Sequence, residues 1–178
     1  MTSTSFHNRG EILRRVIDAA DSRRDGRLPM DLDGVAEKFD DELDLLSALQ
    51  LRWHTRLAGR IEQQLADQPM DLEAAVVAAW HGVADAMPGV RAILDHYRAE
   101  PLDAEMALVM TKAVNKERIL LAVMAGHAGV ADELAVQVGQ RIEERARATY
   151  RRADLPAVPS VPLPRASLID RLRAALAA

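Results

Sequence analysis

From Phe39 to Leu65 an apolar side chain returns every three or four positions: Phe39, Leu43, Leu46, Leu49, Trp53, Leu57, Ile61 and Leu65. Only an α-helix places residues at that spacing on one face. The stripe predicts a helix of about eight turns, roughly 45 Å at the standard rise. A rod of that length must be covered along its apolar face, so it dictates a bundle built around one long central helix.

The flanking sequence supplies the cover. Ile12, Leu13, Val16, Ile17 and Ala20 mark a shorter amphipathic helix that stops near Asp25-Gly26. Leu72, Val76, Trp80, Val83 and Met87 mark another, broken at Pro88-Gly89, and Val90, Ile93, Leu94 and Tyr97 mark the short one after it. A helix from about Asp103 to Met124 should turn Met106, Met110, Ala113, Leu120 and Met124 inward. One from about Asp132 to Arg151 should do the same with Leu134, Val138, Ile142 and Ala146. Pro29-Met30-Asp31, Pro69-Met70-Asp71 and Pro101-Leu102-Asp103 each read as a helix start, the Asp accepting hydrogen bonds from the first free amides. The apolar content is mainly Ala, Leu and Val, with 3% aromatics, which favours helix over sheet. The fold class is therefore all-α.

Past residue 152 the pattern changes. Pro156, Pro159, Pro162 and Pro164 exclude a helix, and the spacing of the first three fits a turn of polyproline II, a semi-rigid spacer. Ser167-Leu168-Ile169-Asp170 then resembles a capping box that opens a last amphipathic helix. The expected organisation is a flexible tail over 1–8, a helical bundle over 9–152, a Pro-rich linker over 153–165 and a docking helix over 166–178. Leu168, Ile169, Leu172 and Leu176 are the candidate partner-binding residues, since a tethered apolar helix face suits a partner's groove; the same face could equally pack back onto the chain's own core or its dimer mate.

Catalytic chemistry finds no foothold in the sequence. There is no cysteine, which excludes disulfides, thiolate catalysis and cysteine-ligated metals. No Glu-x-x-His or His-Glu-x-x-His pair offers a helical metal site, and His54, His81, His96 and His127 lie on separate segments. No serine sits in a Gly-x-Ser-x-Gly elbow, and no glycine-rich phosphate loop is present. Asp95-His96-Tyr97 could carry acid–base work only if it were not ordinary helix surface. No catalytic, cofactor-binding or metal-binding residue is therefore assigned, and no cofactor is expected. Trp53, Trp80, Met106, Met110 and Met124 could instead line an apolar ligand cavity, because Met adapts to irregular shapes. The net charge of −4 gives no general pull toward nucleic acid. Neither a signal-length apolar run after Met1 nor a segment of membrane-spanning length occurs, so a cytoplasmic, non-membrane protein is expected.

Several stretches resemble the tetracycline-repressor (TetR) type of bacterial regulator. Arg9-x-x-Ile12-Leu13 leading to Asp18-Ala19-Ala20 is similar to that family's opening helix, and Asp31-Leu32-Asp33-Gly34-Val35-Ala36 to the start of its second. Asp41-Glu42-Leu43-x-Leu45-Leu46 followed by Trp53 looks like the beginning of its linking helix, and Pro88-Gly89-Val90-Arg91-x-Ile93-Leu94 resembles its ligand-binding half. The resemblance implies a helical homodimer with an apolar effector. It departs at Lys38-Phe39-Asp40, which runs directly into Asp41-Glu42-Leu43 where the family has a turn and a DNA-recognition helix. DNA binding is accordingly not favoured. Two functions are expected from these features: a non-catalytic adaptor or scaffold that oligomerises and engages a protein partner through its C-terminal helix, or a TetR-like ligand-responsive transcriptional regulator.

Overall fold

The computed structural model describes residues 3–129 and 133–151. Seven helices make up the described chain: α1 (Ser3–Arg23), α2 (Val35–Lys38), α3 (Glu42–Ala66), α4 (Leu72–Ala86), α5 (Pro88–Ala99), α6 (Ala104–Met124) and α7 (Glu133–Thr149). No strand occurs among the described residues, so the chain is an all-α bundle. α1 begins at Ser3, inside the segment expected to be a tail. The expected linker and docking helix, over 153–165 and 166–178, lie outside the described residues.

The long helix is shorter than its stripe. Asp41 accepts a hydrogen bond from the Asp44 amide (2.8 Å) and starts α3 at Glu42. Its 25 residues span roughly 37 Å. Phe39 belongs to the stripe by burial but sits in extended backbone (φ −127°) after α2. Leu46, Leu49, Trp53, Leu57 and Ile61 are fully buried, with α4, α5 and α6 packed along α3. α6 and α7 form a closely packed pair, α7 also covers α4, and α1 lies across α5.

Two of the three Pro-x-Asp signals do start helices. Asp71 caps α4 through the Ala74 amide (2.9 Å), and Asp103 caps α6 through the Met106 amide (2.7 Å). Asp31 does not. The chain turns at Pro29–Leu32 and again at Leu32–Val35, which delays α2 until after Gly34, whose φ of +86° suits glycine. The Asp31 carboxylate instead takes both terminal nitrogens of Arg23, at 2.6 and 2.7 Å.

α6 ends in a Schellman motif. Gly126 adopts φ +75°, the His127 amide reaches the Ala122 carbonyl and the Gly126 amide reaches that of Val123, both at 3.0 Å. The inward face of α7 is rotated by one residue from expectation at its start: Ala135 is fully buried and Leu134 is exposed. Ala135 can approach α6 more closely than a leucine could.

Candidate functional site

Four helices converge on a buried carboxylate. Glu117 of α6 is 4% exposed. Its Oε2 accepts from the Trp53 indole N–H of α3 (3.1 Å) and its Oε1 from that of Trp80 on α4 (3.3 Å). The two indoles meet edge to face, with centroids 5.9 Å apart. Arg91 of α5 lays its guanidinium over the Trp53 ring, 4.7 Å from the centroid, with Nη1 3.8 Å from Glu117. Buried indole N–H groups and a buried carboxylate would each be costly alone; together they satisfy one another.

Charge then spreads outward from Arg91. Asp95, one turn further along α5, binds Arg91 (2.8 Å) and both terminal nitrogens of Arg147 on α7 (2.8 and 3.0 Å). Burial pushes the Asp95 pKa up, but the Arg147 hydrogen bonds and the Arg91 and Arg147 charges outweigh it and hold the group below the usual carboxylate range. An anion gripped by two guanidiniums is a poor base, and the neighbouring His96 is exposed and packs against the Tyr97 ring, so the Asp95-His96-Tyr97 run makes no acid–base pair.

Glu143 of α7 gathers three arginines: Arg98 (2.6 Å), Arg118 (3.0 Å) and Arg147 (2.9 Å). Burial would raise its pKa, but the hydrogen bonds from Arg118 and Arg98 and the charges of Arg98 and Arg147 dominate and lower it to about 2. The stabilisation is therefore complete above the ordinary pKa of 4.5 and is lost as pH falls from there through about 2. We expect Glu143→Gln to cost on the order of 3 kcal/mol at pH 7. The gap from the wild type should close toward pH 2, as read by urea unfolding across that range. A gap independent of pH would mean that the carboxylate's charge holds nothing together.

His81 and His127 are tied to the scaffold. His81 approaches the Ala146 carbonyl through Nε2 (2.8 Å), and His127 pairs with Glu73 (2.9 Å), which also binds Arg145 (2.6 Å). No three His, Asp or Glu side chains cluster as metal ligands among the described residues.

The five residues expected to line one ligand cavity are distributed differently. Trp53 and Met106 lie in the core, Trp80 borders a cavity of about 290 Å³ with Arg91, Asp95, Arg147 and Tyr150, and Met124 is half-buried. Met110 lines another concavity, a groove of about 400 Å³ between α3 and α6. Gln50, Leu51 and His54 face it from α3, and Val109, Met110, Lys112, Ala113 and Lys116 from α6. Leu168, Ile169, Leu172 and Leu176 lie outside the described residues. No helix among the described residues is long and apolar enough to cross a membrane.

The expectations missed Glu117, Glu143, Arg91 and the α3–α6 groove. Glu117 carried a signal, because it continues the stripe of Met106, Met110 and Ala113 at helical spacing. The groove carried none, since it depends on how two helices far apart in the sequence pack together. No known protein family, characterised protein or solved structure matches the chain.

Proposed function

We propose that this protein is a non-catalytic helical adaptor whose body oligomerises and whose segment 166–178 engages a protein partner through Leu168, Ile169, Leu172 and Leu176. One observation supports the reading: the described helices gather their buried side chains into one core. The fully buried residues of α1 and α3–α7 form a single cluster, and the buried carboxylates find their donors within it. An apolar stripe at Leu168, Leu172 and Leu176, spaced for one helix face, suits the groove of a partner. Exposed Leu108 of α6 and Leu134 of α7 support contacts to a second copy.

A chain ending before Pro156 is the test. It should keep its helical circular-dichroism signal and its melting temperature within about 3 °C, a shift below ~1 kcal/mol. It should also lose a partner that the full chain retains in a pull-down. Melting of the shortened chain would make the segment structural and remove the adaptor reading.

The rival reading is a ligand-responsive regulator of the TetR kind, which the α3–α6 groove favours as an effector site. Against it, only Phe39, Asp40 and Asp41 separate α2 from α3, leaving no room for a separate recognition helix. Salt-sensitive binding to duplex DNA would restore that reading.

A further inference from the structure

The α3–α6 groove combines an apolar floor with polar groups that have no protein partner among the described residues. Leu51, Val109, Met110 and Ala113 supply the floor, and Leu51 stands 67% exposed although it is a large apolar side chain. Gln50 is nine-tenths buried at the groove and makes no hydrogen bond among the described residues. Among the described residues the buried polar atoms left without a partner are those of Arg91, so the Gln50 amide meets solvent in the groove, where a ligand's polar atom can take the place of water. Lys112 and Lys116 flank the same groove one helical turn apart, and neither ammonium has an ion pair among the described residues. The chain has only three lysines, so two of them standing here unpaired concentrates positive charge on an apolar concavity. His54 faces them from α3.

We propose that the α3–α6 groove binds a free medium-chain carboxylate, its hydrocarbon tail on Leu51, Val109, Met110 and Ala113 and its anionic head at Lys112 and Lys116. The volume of about 400 Å³ falls within the range of small-molecule sites, roughly 300–1,000 Å³. The chain's own segment 166–178 is the competing occupant. It carries Arg171 and Arg173 against one acidic side chain, Asp170, so Lys112 and Lys116 would on balance repel it, whereas a carboxylate is drawn in. The proposal does not depend on the adaptor reading, which concerns a different surface.

The experiment is calorimetric titration of the full chain with decanoate below its micelle concentration. Saturable binding is expected, weakened about fourfold for each methylene removed from the tail. Methyl decanoate should bind at least tenfold more weakly, and decyltrimethylammonium should not bind. Lys112→Ala/Lys116→Ala changes only exposed side chains, so it should retain the wild-type melting temperature in the absence of ligand and lose at least tenfold in decanoate affinity. Gln50→Leu should also weaken binding. Equal affinity for decanoate and its methyl ester, or an unchanged double variant, would overturn the proposal. So would displacement of decanoate by a 166–178 peptide together with no preference for the carboxylate, which would give the groove to the chain's own segment. Loss of the partner on truncation before Pro156 bears on the adaptor reading and leaves these outcomes untouched.

Discussion

Replacing Glu117 with leucine should destabilise the protein by about 3–5 kcal/mol, lowering the melting temperature by roughly 10 °C or more. Leucine fills much of the space but offers no acceptor. The indole N–H groups of Trp53 and Trp80 would both be left buried without partners. Arg91 would lose the carboxylate 3.8 Å away, and its Nε and Nη1 already have no hydrogen-bond partner, leaving Asp95 alone to balance a side chain 10% exposed. Removing one member of a buried ionic group costs more than removing the group, because the survivor keeps its desolvation penalty. The double variant Glu117→Leu/Arg91→Met should therefore be less destabilised than the sum of its two single variants. Glu117→Gln keeps one acceptor but turns an N–H toward one of the indoles, so it should fall between, at about 1–3 kcal/mol. Trp53 and Trp80 are the only tryptophans in the chain, so indole fluorescence reports this centre directly. Additive single and double variants, or a melting temperature unmoved by leucine, would show that the four side chains do not act as a unit.

That centre also explains where the sequence was readable and where it was not. The stripe from Leu43 to Leu65 lies on the inner face of α3, because each of its apolar side chains is pulled into the core by the same force that made the pattern visible. Asp71 and Asp103 cap their helices through purely local geometry, three residues long. Asp31 has the same local sequence, but turns downstream and the guanidinium of Arg23 take it elsewhere, and neither is visible in a three-residue motif. Glu117 reads as a polar exception on an apolar face until two tryptophans from other helices are placed against it. What fixes it is the meeting of residues 37 and 64 positions apart, a property of packing. The groove is less legible still: its lysines look like solvent-facing charges on α6, and only the placement of α3 beside them makes them line a concavity. The expected docking residues Leu168, Ile169, Leu172 and Leu176 rest on local pattern alone.

Alanine at Gly139 should be among the most damaging small substitutions in the chain, costing about 3 kcal/mol or more in urea unfolding. A Cβ built there would lie 1.8 Å from the Arg118 carbonyl oxygen, where ordinary contact needs about 3.5 Å. The obstacle is backbone, so no rotamer change can relieve it; α6 and α7 must separate. That separation has a second consequence, because Glu143 follows Gly139 by one turn on α7 and holds the Arg118 side chain at 3.0 Å. The missing Cβ brings the two backbones together, and the carboxylate one turn later clasps the residue whose carbonyl is touched. Pushing the helices apart should thus also reduce the acid-dependent part of stability that Glu143 supplies, flattening the loss between pH 4.5 and about 2. Gly59 provides the contrast. It lies within α3 with nothing within 4 Å of a Cβ, so Gly59→Ala should stabilise by about 0.5–1 kcal/mol through helix propensity alone. Both substitutions add the same methyl group to a helix, and only the packing differs. Equal responses at the two positions would mean that α6 and α7 do not meet at Gly139, and the placement of Glu143 among its three arginines would fall with that contact.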